Sequence, residues 1–249
     1  MILTRSDGST TAYCREKGTN PPGIVFFPGF RSDMGGTKAT SLAARCRERG
    51  RPFLRFDYFG HGASSGDFQD GRIGRWLDDA LAVLDELTEW PQILVGSSMG
   101  GWIALLAARA RADRVAGLVG IAPAPDFTED LIWNRLSGEQ RRRFRDTGVL
   151  MAPSAYEAEM IPLNLGLVEE GRRHLVLRGP IPLGCPVRLL HGMRDADVPY
   201  PTSLRLAQRI EGAEVVVELI EDGDHRLSRP QDLERLFAVI DGLSGRAQP

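Results

Sequence analysis

Five residues, Gly96-Ser97-Ser98-Met99-Gly100, have the spacing G-x-S-x-G and point to a serine nucleophile. The setting gives the pattern its weight. It follows the apolar run Ile93-Leu-Val95 and opens the Ala- and Leu-rich stretch Ser98 to Arg111. A strand turning this sharply into a helix strains the middle residue, and bulky neighbours would clash, so glycine stands on both sides. The turn also sets the hydroxyl near the helix N-terminus, where developing negative charge is favoured. If Ser97 were the middle residue, Val95 would have to be glycine, so the register selects Ser98.

A serine hydroxyl is a poor nucleophile near neutral pH and needs a base held in place by an acid. Where such an elbow is used, the acid and then the base follow it in chain order. His225, in Glu221-Asp-Gly-Asp-His225-Arg, lies on a loop just past the last expected strand and suits the base. His174 falls in an insert, and His191 ends a strand, where a structural role is expected. Asp195 leaves that strand on a loop, four residues beyond His191, and suits the acid. Asp197 is the nearest rival. Asp222 and Asp224 read as turn-forming acids, whose side chains bond the backbone.

An oxyanion hole would take one N–H from Met99, the residue after the nucleophile. The other would come from Phe30 in Phe27-Pro28-Gly29-Phe30-Arg31, the loop after the first parallel strand. The busy run Asp57-Tyr-Phe-Gly60-His61-Gly-Ala-Ser-Ser-Gly66 reads as a structural turn. The four His show no metal-ligand spacing, and Gly29 to Gly36 lacks the G-K-[ST] ending of a phosphate loop. No cofactor or metal is expected.

These residues need elements to carry them. Ile2 to Arg5 and Thr10 to Arg15 flank Asp7-Gly8 as a hairpin. Buried-strand runs then alternate with helical patterns. Ile73, Leu77, Ala80, Leu81, Leu84 and Leu87 keep the three-and-four spacing of an amphipathic helix. The alternation predicts an α/β fold: about eight strands in a mostly parallel sheet after an antiparallel start, with helices on both faces. The rhythm breaks at Ala122-Pro-Ala-Pro125 and resumes after Pro180-Ile-Pro182. Residues 1–125 and 182–249 are therefore expected to form the core. Residues 126–181 are expected to form a helical lid, with no clear β run, over the carboxyl edge of the sheet. Its residues 126–180 hold eight Arg against nine Asp and Glu, so it is no general anion trap. Arg141 to Arg145 read as a solvated helix face. Phe127, Trp133, Tyr156 and Met160 are among its apolar residues, a subset of which could line an acyl pocket.

The chain has 249 residues and a formal net charge of −2, so no basic field holds nucleic acid. Cys14, Cys46 and Cys185 are odd in number and widely spaced, which argues against disulfides and for a reducing compartment. No secretory leader and no integral membrane segment is visible, and a cytoplasmic setting is the expectation.

The elbow, the Pro28-Gly29 turn, the Asp197-Val-Pro199 loop and the His225 loop resemble the α/β-hydrolase superfamily over essentially the whole chain. Longer runs narrow the resemblance: Gly35-Gly-Thr-Lys-Ala39, Arg55-Phe-Asp-Tyr58, Gln92 to Trp102, Cys185 to Met193 and Asp224-His-Arg226. They are similar to a mitochondrial subfamily of small α/β hydrolases described as palmitoyl-protein thioesterases and acyl-glucuronide esterases. The Arg-rich composition, with only Lys17 and Lys38 as lysines, suits a bacterial-type relative. The resemblance implies Ser98, Asp195 and His225 as a triad that cleaves esters or thioesters of a small-molecule or acylated substrate. Other uses of the same triad, C–C bond hydrolysis or perhydrolysis, and a non-catalytic ligand receptor on this fold are the alternatives.

Overall fold

The computed structural model describes residues 1–152 and 160–244. Eight strands form one sheet: β1 (Ile2–Thr4), β2 (Thr10–Glu16), β3 (Gly23–Phe27), β4 (Phe53–Phe56), β5 (Gln92–Ser97), β6 (Val115–Ile121), β7 (Val187–Gly192) and β8 (Val215–Ile220). Their order is β1-β2-β4-β3-β5-β6-β7-β8. β1 and β2 pair antiparallel, as do β2 and β4, and the remaining pairs are parallel. Strand β3 sits between β4 and β5 and buries all five residues, which explains its uninterrupted apolar run.

Helices cover both faces. α2 (Ile73–Leu87) and α3 (Met99–Ala110) pack Trp76, Val83, Trp102 and Leu105 on one side, where Leu206 of α6 (Pro201–Arg209) joins them. α1 (Thr37–Glu48) and α7 (Pro230–Ser244) pack Leu42, Leu236 and Ile240 on the other. The three cysteines are free thiols, and burial pushes Cys46 up to about 12 and Cys185 up to about 11.

Between β6 and β7 the chain leaves the sheet. Asp126 is fully buried at a φ of +59°, and its carboxylate accepts the N–H groups of Val176 (2.8 Å) and Leu177 (2.9 Å). The segment is thus pinched where it departs and returns. It contains α4 (Gly138–Thr147), opened by a capping box of Ser137 and Gln140, and α5 (Leu165–Gly171). It also contains a hairpin, Val149–Ala152 against Ile161–Asn164. The expectation of a segment without β structure is corrected here. The strands are four residues long and carry apolar side chains on both faces, with Val149 and Met151 exposed, so no polar alternation marked them. Tyr156 lies outside the described residues. The arginines of α4 are more than a solvated face: Arg141 and Arg145, with Arg172, stand 4.9–5.4 Å from the ring of Trp133.

One buried acid bears on stability. Asp79 of α2 accepts the Phe59 N–H at 2.8 Å, with Arg75 and Arg5 at 3.5 and 3.9 Å. Burial outweighs these partners and pushes its pKa up to about 6. A folded-state pKa above the unfolded value means the unfolded chain ionises first. Stability from this group therefore falls as pH rises from about 4 to 6, by roughly 3 kcal/mol at most. Urea unfolding should show Asp79→Asn gaining on the wild type by about 2 kcal/mol between pH 4 and pH 7; a pH-independent difference would contradict the assignment.

Candidate active site

Ser98 joins β5 to α3 at φ 54° and ψ −120°, in the region that side chains avoid. The flanking glycines are required by space. A Cβ on Gly96 would lie 2.3 Å from the carbonyl oxygen of Gly100, and one on Gly100 would lie 2.1 Å from that of Phe27. Three backbone hydrogen bonds fasten the turn: Ser98 N–H to Ile121 O (2.9 Å), and Gly101 N–H (2.9 Å) and Ala124 N–H (3.0 Å) to Ser98 O. Ser97 is an ordinary strand residue, buried within β5.

The loops after β7 and β8 supply the other two side chains. Gly192 and Gly223 let these loops touch, since a Cβ on Gly192 would fall 2.3 Å from Gly223 O. Arg194 N–H donates to Gly223 O and Met193 N–H to Ile220 O. His225 Nε2 then lies 3.0 Å from Ser98 Oγ, and its Nδ1 lies 2.7 Å from Asp195 Oδ2. The structure thus brings together the three residues singled out from sequence.

Asp195 has donors on both oxygens. Oδ1 accepts the N–H groups of Asp197 (2.9 Å) and Val198 (2.8 Å). Oδ2 faces His225 and also His191 Nε2 at 3.1 Å. Burial opposes ionisation, but the hydrogen bonds from His191 and His225 outweigh it and hold the carboxyl well below the usual carboxylate range. His191 is completely buried, and its tautomer follows from its neighbours. Nε2 faces two acceptors, Asp195 Oδ2 and Val198 O (2.9 Å), so it carries the hydrogen. Nδ1 then accepts the Ser203 hydroxyl at 2.7 Å. The strand-end reading of His191 missed this contact with the acid; the i, i+4 spacing was its only trace.

Two of the other acids weighed from the sequence are engaged elsewhere. Asp224 caps its own loop by accepting Leu227 N–H (2.9 Å), and Asp222 pairs with Arg229 at 2.6 Å. Ligand atoms of Asp195, Asp197 and His225 lie within 4.8 Å of one another. A cation there would have to displace the proton between His225 Nδ1 and Asp195. Lys38, on α1, donates to Arg226 O (2.5 Å) and faces Ser228 Oγ (3.3 Å), bracing the turn beyond His225. Burial pushes its ammonium down to about 8.

Met99 is the first residue of α3, so its N–H has no acceptor within the helix. Phe30 lies on the loop after β3, and its N–H has no acceptor among the described residues. Its ring packs edge-on to Phe68, Trp76 and Phe127. A groove of about 300 Å³ is lined by Gly29, Ser32, Lys38, Ser97 and Arg226 among others. A larger cavity of about 620 Å³, lined by Lys17 and Trp90 among others, lies at the opposite edge of the sheet, away from Ser98.

A parallel sheet with a strained serine at its carboxyl edge, hydrogen-bonded to an imidazole and through it to a buried carboxylate, defines the class: serine hydrolases of α/β fold. Known proteins agree. The sequence pattern of the family described as "Serine aminopeptidase, S33" matches residues 20–154. The mitochondrial palmitoyl-protein thioesterase ABHD10 of Bos taurus is 42% identical over 97% of this chain and 79% of its own length. The solved structure of mouse α/β-hydrolase domain-containing protein 10 superposes with a TM-score of 0.93 at 41% identity, covering 100% of this chain and 99% of that one. A putative hydrolase from Agrobacterium vitis S4 superposes with a TM-score of 0.92 at 43% identity, covering 97% and 96%. The chain belongs to the α/β-hydrolase family, in the branch that holds these proteins, and is a serine hydrolase of ester or thioester bonds. The expected cytoplasmic setting is overturned by the same comparison, because the curated relatives are mitochondrial by name. No helix among the described residues is long and apolar enough to cross a membrane.

The elbow's steric demand can be measured. Gly100→Ala places a methyl against two backbone oxygens, those of Phe27 and Pro28, which cannot swing aside. Overpacking of this kind costs about 1–3 kcal/mol, which lowers Tm by roughly 2–12 °C in a chain of this size. An unchanged Tm in a thermal scan would show that the turn has room.

Proposed function

We propose that Ser98 is the nucleophile, His225 the general base and Asp195 the acid that orients it, with the N–H groups of Phe30 and Met99 as oxyanion donors. The observation that supports this most directly is the unbroken chain of contacts from Ser98 Oγ through the imidazole of His225 to Asp195 Oδ2. Asp195 accepts from Nδ1–H, which leaves the Nε2 lone pair facing the hydroxyl, the tautomer a base requires.

Ser98 Oγ attacks the acyl carbon while Nε2 takes its proton. The carbonyl oxygen becomes an oxyanion between the two amides, each worth on the order of 3 kcal/mol in the transition state. Collapse expels the alcohol or thiol, which receives the proton from Nε2, and Ser98 is left acylated. Water then attacks, His225 Nε2 again accepting the proton and returning it to Ser98 Oγ as the intermediate collapses and the carboxylic acid departs. Asp195 stays ionised throughout and stabilises the imidazolium.

The substrates we propose are esters or thioesters with an apolar acyl group. The relatives named as palmitoyl-protein thioesterases support this. Residues 1–125 and 182–249 act as the catalytic core in this reading, with residues 126–181 as its cover. The pinch at Asp126 and the ion pairs Glu129–Arg172 and Asp130–Arg205 are consistent with a cover fixed at its base.

Ser98→Ala should lower turnover by up to roughly 10⁶-fold with the fold retained. Mass spectrometry after a fluorophosphonate probe should place one adduct on Ser98; an adduct on Ser97, or an alanine variant keeping a tenth of the activity, would refute the assignment. Asp195→Asn should damage kcat far more than Asp197→Asn, and the reverse ranking would move the acid. A panel of acyl thioesters, alkyl esters and acyl glucuronides compared by kcat/KM ranks the leaving groups, and a flat dependence on acyl length would remove the apolar acyl site.

A further inference from the structure

The loop that carries Phe30 is held from behind by β4 and the turn that follows it. Arg55 donates to Met34 O at 2.6 Å, and Met34 N–H donates to Asp57 Oδ1 at 2.6 Å. These two bonds fix the far end of the loop. The near end bends through Arg31, whose φ of +57° puts a non-glycine residue in the left-handed region. The N–H of Arg31 points at His61 Nε2, 3.3 Å away.

His61 is 4% exposed and meets the rings of Tyr58, Phe68 and Trp76 at centroid distances of 5.8, 5.1 and 5.3 Å. Its Nδ1 lies 3.1 Å from Phe59 O, which can only accept, so Nδ1 carries the hydrogen and Nε2 presents a lone pair. Phe59 O is itself fixed by Trp76 Nε1 at 3.0 Å. Burial favours the neutral ring, and Arg31 adds to this against the Phe59 bond and Asp33. A neutral, oriented acceptor therefore stands where Arg31 needs one.

We propose that His61 is a positioning residue for the oxyanion loop: it accepts the Arg31 N–H and so keeps the preceding amide, that of Phe30, aimed at the nucleophile. This rests on the role given above to Phe30. Without the acceptor, the hydrogen bond that holds the Arg31 N–H in its strained conformation is lost. The loop gains by relaxing, and the relaxation rotates the Phe30 peptide. No contact of His61 with substrate is involved, so the loss falls on transition-state stabilisation and leaves ground-state binding.

His61→Phe keeps a ring among the aromatic neighbours and removes the acceptor. His61→Gln offers an amide oxygen near the position of Nε2. For each variant kcat, KM, Tm and the affinity of a boronic acid that forms a tetrahedral adduct on Ser98 are measured. We expect His61→Phe to lose about 10- to 100-fold in kcat, less than deletion of an oxyanion donor, and the same factor in boronate affinity. KM should stay within about twofold, and His61→Gln should recover most of both losses, as expected of a transition-state interaction. Unchanged kcat in His61→Phe would overturn the proposal, as would a loss shared equally by His61→Gln or one that appears in KM and Tm instead. Should His61→Phe fail to fold, ¹⁵N NMR of the wild-type ring decides: protonated Nδ1 with bare Nε2 supports the proposal, and the opposite tautomer refutes it. Failure here with Ser98→Ala inactive removes only the role of His61; an active Ser98→Ala removes the reading of the site itself.

Discussion

Ser98 adopts a backbone conformation that a residue with a side chain enters at about 1–3 kcal/mol, and the rest of the site is built around keeping it there. The offset comes from hydrogen bonds that cannot be lost singly. Its N–H is held by the last residue of β6, and its carbonyl accepts from Gly101 in the helix and from Ala124 beyond β6. The same interactions that strain the serine thus tie β5, β6, α3 and the start of the 126–181 segment to one point. Gly96, Gly100 and Gly101 let these backbones approach to distances that a Cβ would forbid.

A second constraint is electrostatic. A buried carboxylate loses its hydration and must be hydrogen-bonded to stay ionised. Asp195 meets this with two amides on one oxygen and two imidazoles on the other. Four donors leave the carboxylate no rotation, which fixes the direction from which His225 is addressed. His191 extends this order to Ser203 on α6, and α6 reaches the insert through Arg205 and Asp130. The hydrogen bonds around Asp195 are therefore continuous with the packing of a whole helix.

How much of this was legible in the sequence follows from which forces leave a local trace. The elbow was legible because steric exclusion selects glycine at two fixed positions. The parallel sheet was legible because strands buried on both faces read as apolar runs. The convergence of Ser98, His225 and Asp195 could be anticipated from chain order and from loops at strand ends. The choice between Asp195 and Asp197 could not follow from residue type, since both follow the same strand; it rests on which carboxylate meets Nδ1. The hairpin of the insert was missed because its apolar residues fall on both faces. His61 and His191 read as structural because their work is done by lone pairs and tautomers, which depend on neighbours 30 and 4 residues away.

The donors that would meet an oxyanion here are main-chain amides, and this shifts where their geometry can be tuned. Replacing the side chain of Phe30 or Met99 leaves the N–H in place. Only what holds the peptide plane can move it. For Met99 that is α3 and the elbow, shared with Ser98. For Phe30 it is a loop outside regular structure, and its anchors come from Arg55, Asp57 and His61, on a neighbouring strand and turn. Asp57 in turn accepts Ala63 N–H, and Phe59 is held by Asp79, so this brace is itself fixed from the helix layer. An oxyanion site stabilises charge only insofar as its dipoles need no reorganisation when the charge develops. If the Phe30 N–H meets the oxyanion as proposed, the buried polar side chains behind the loop bear on the barrier without approaching the reacting atoms.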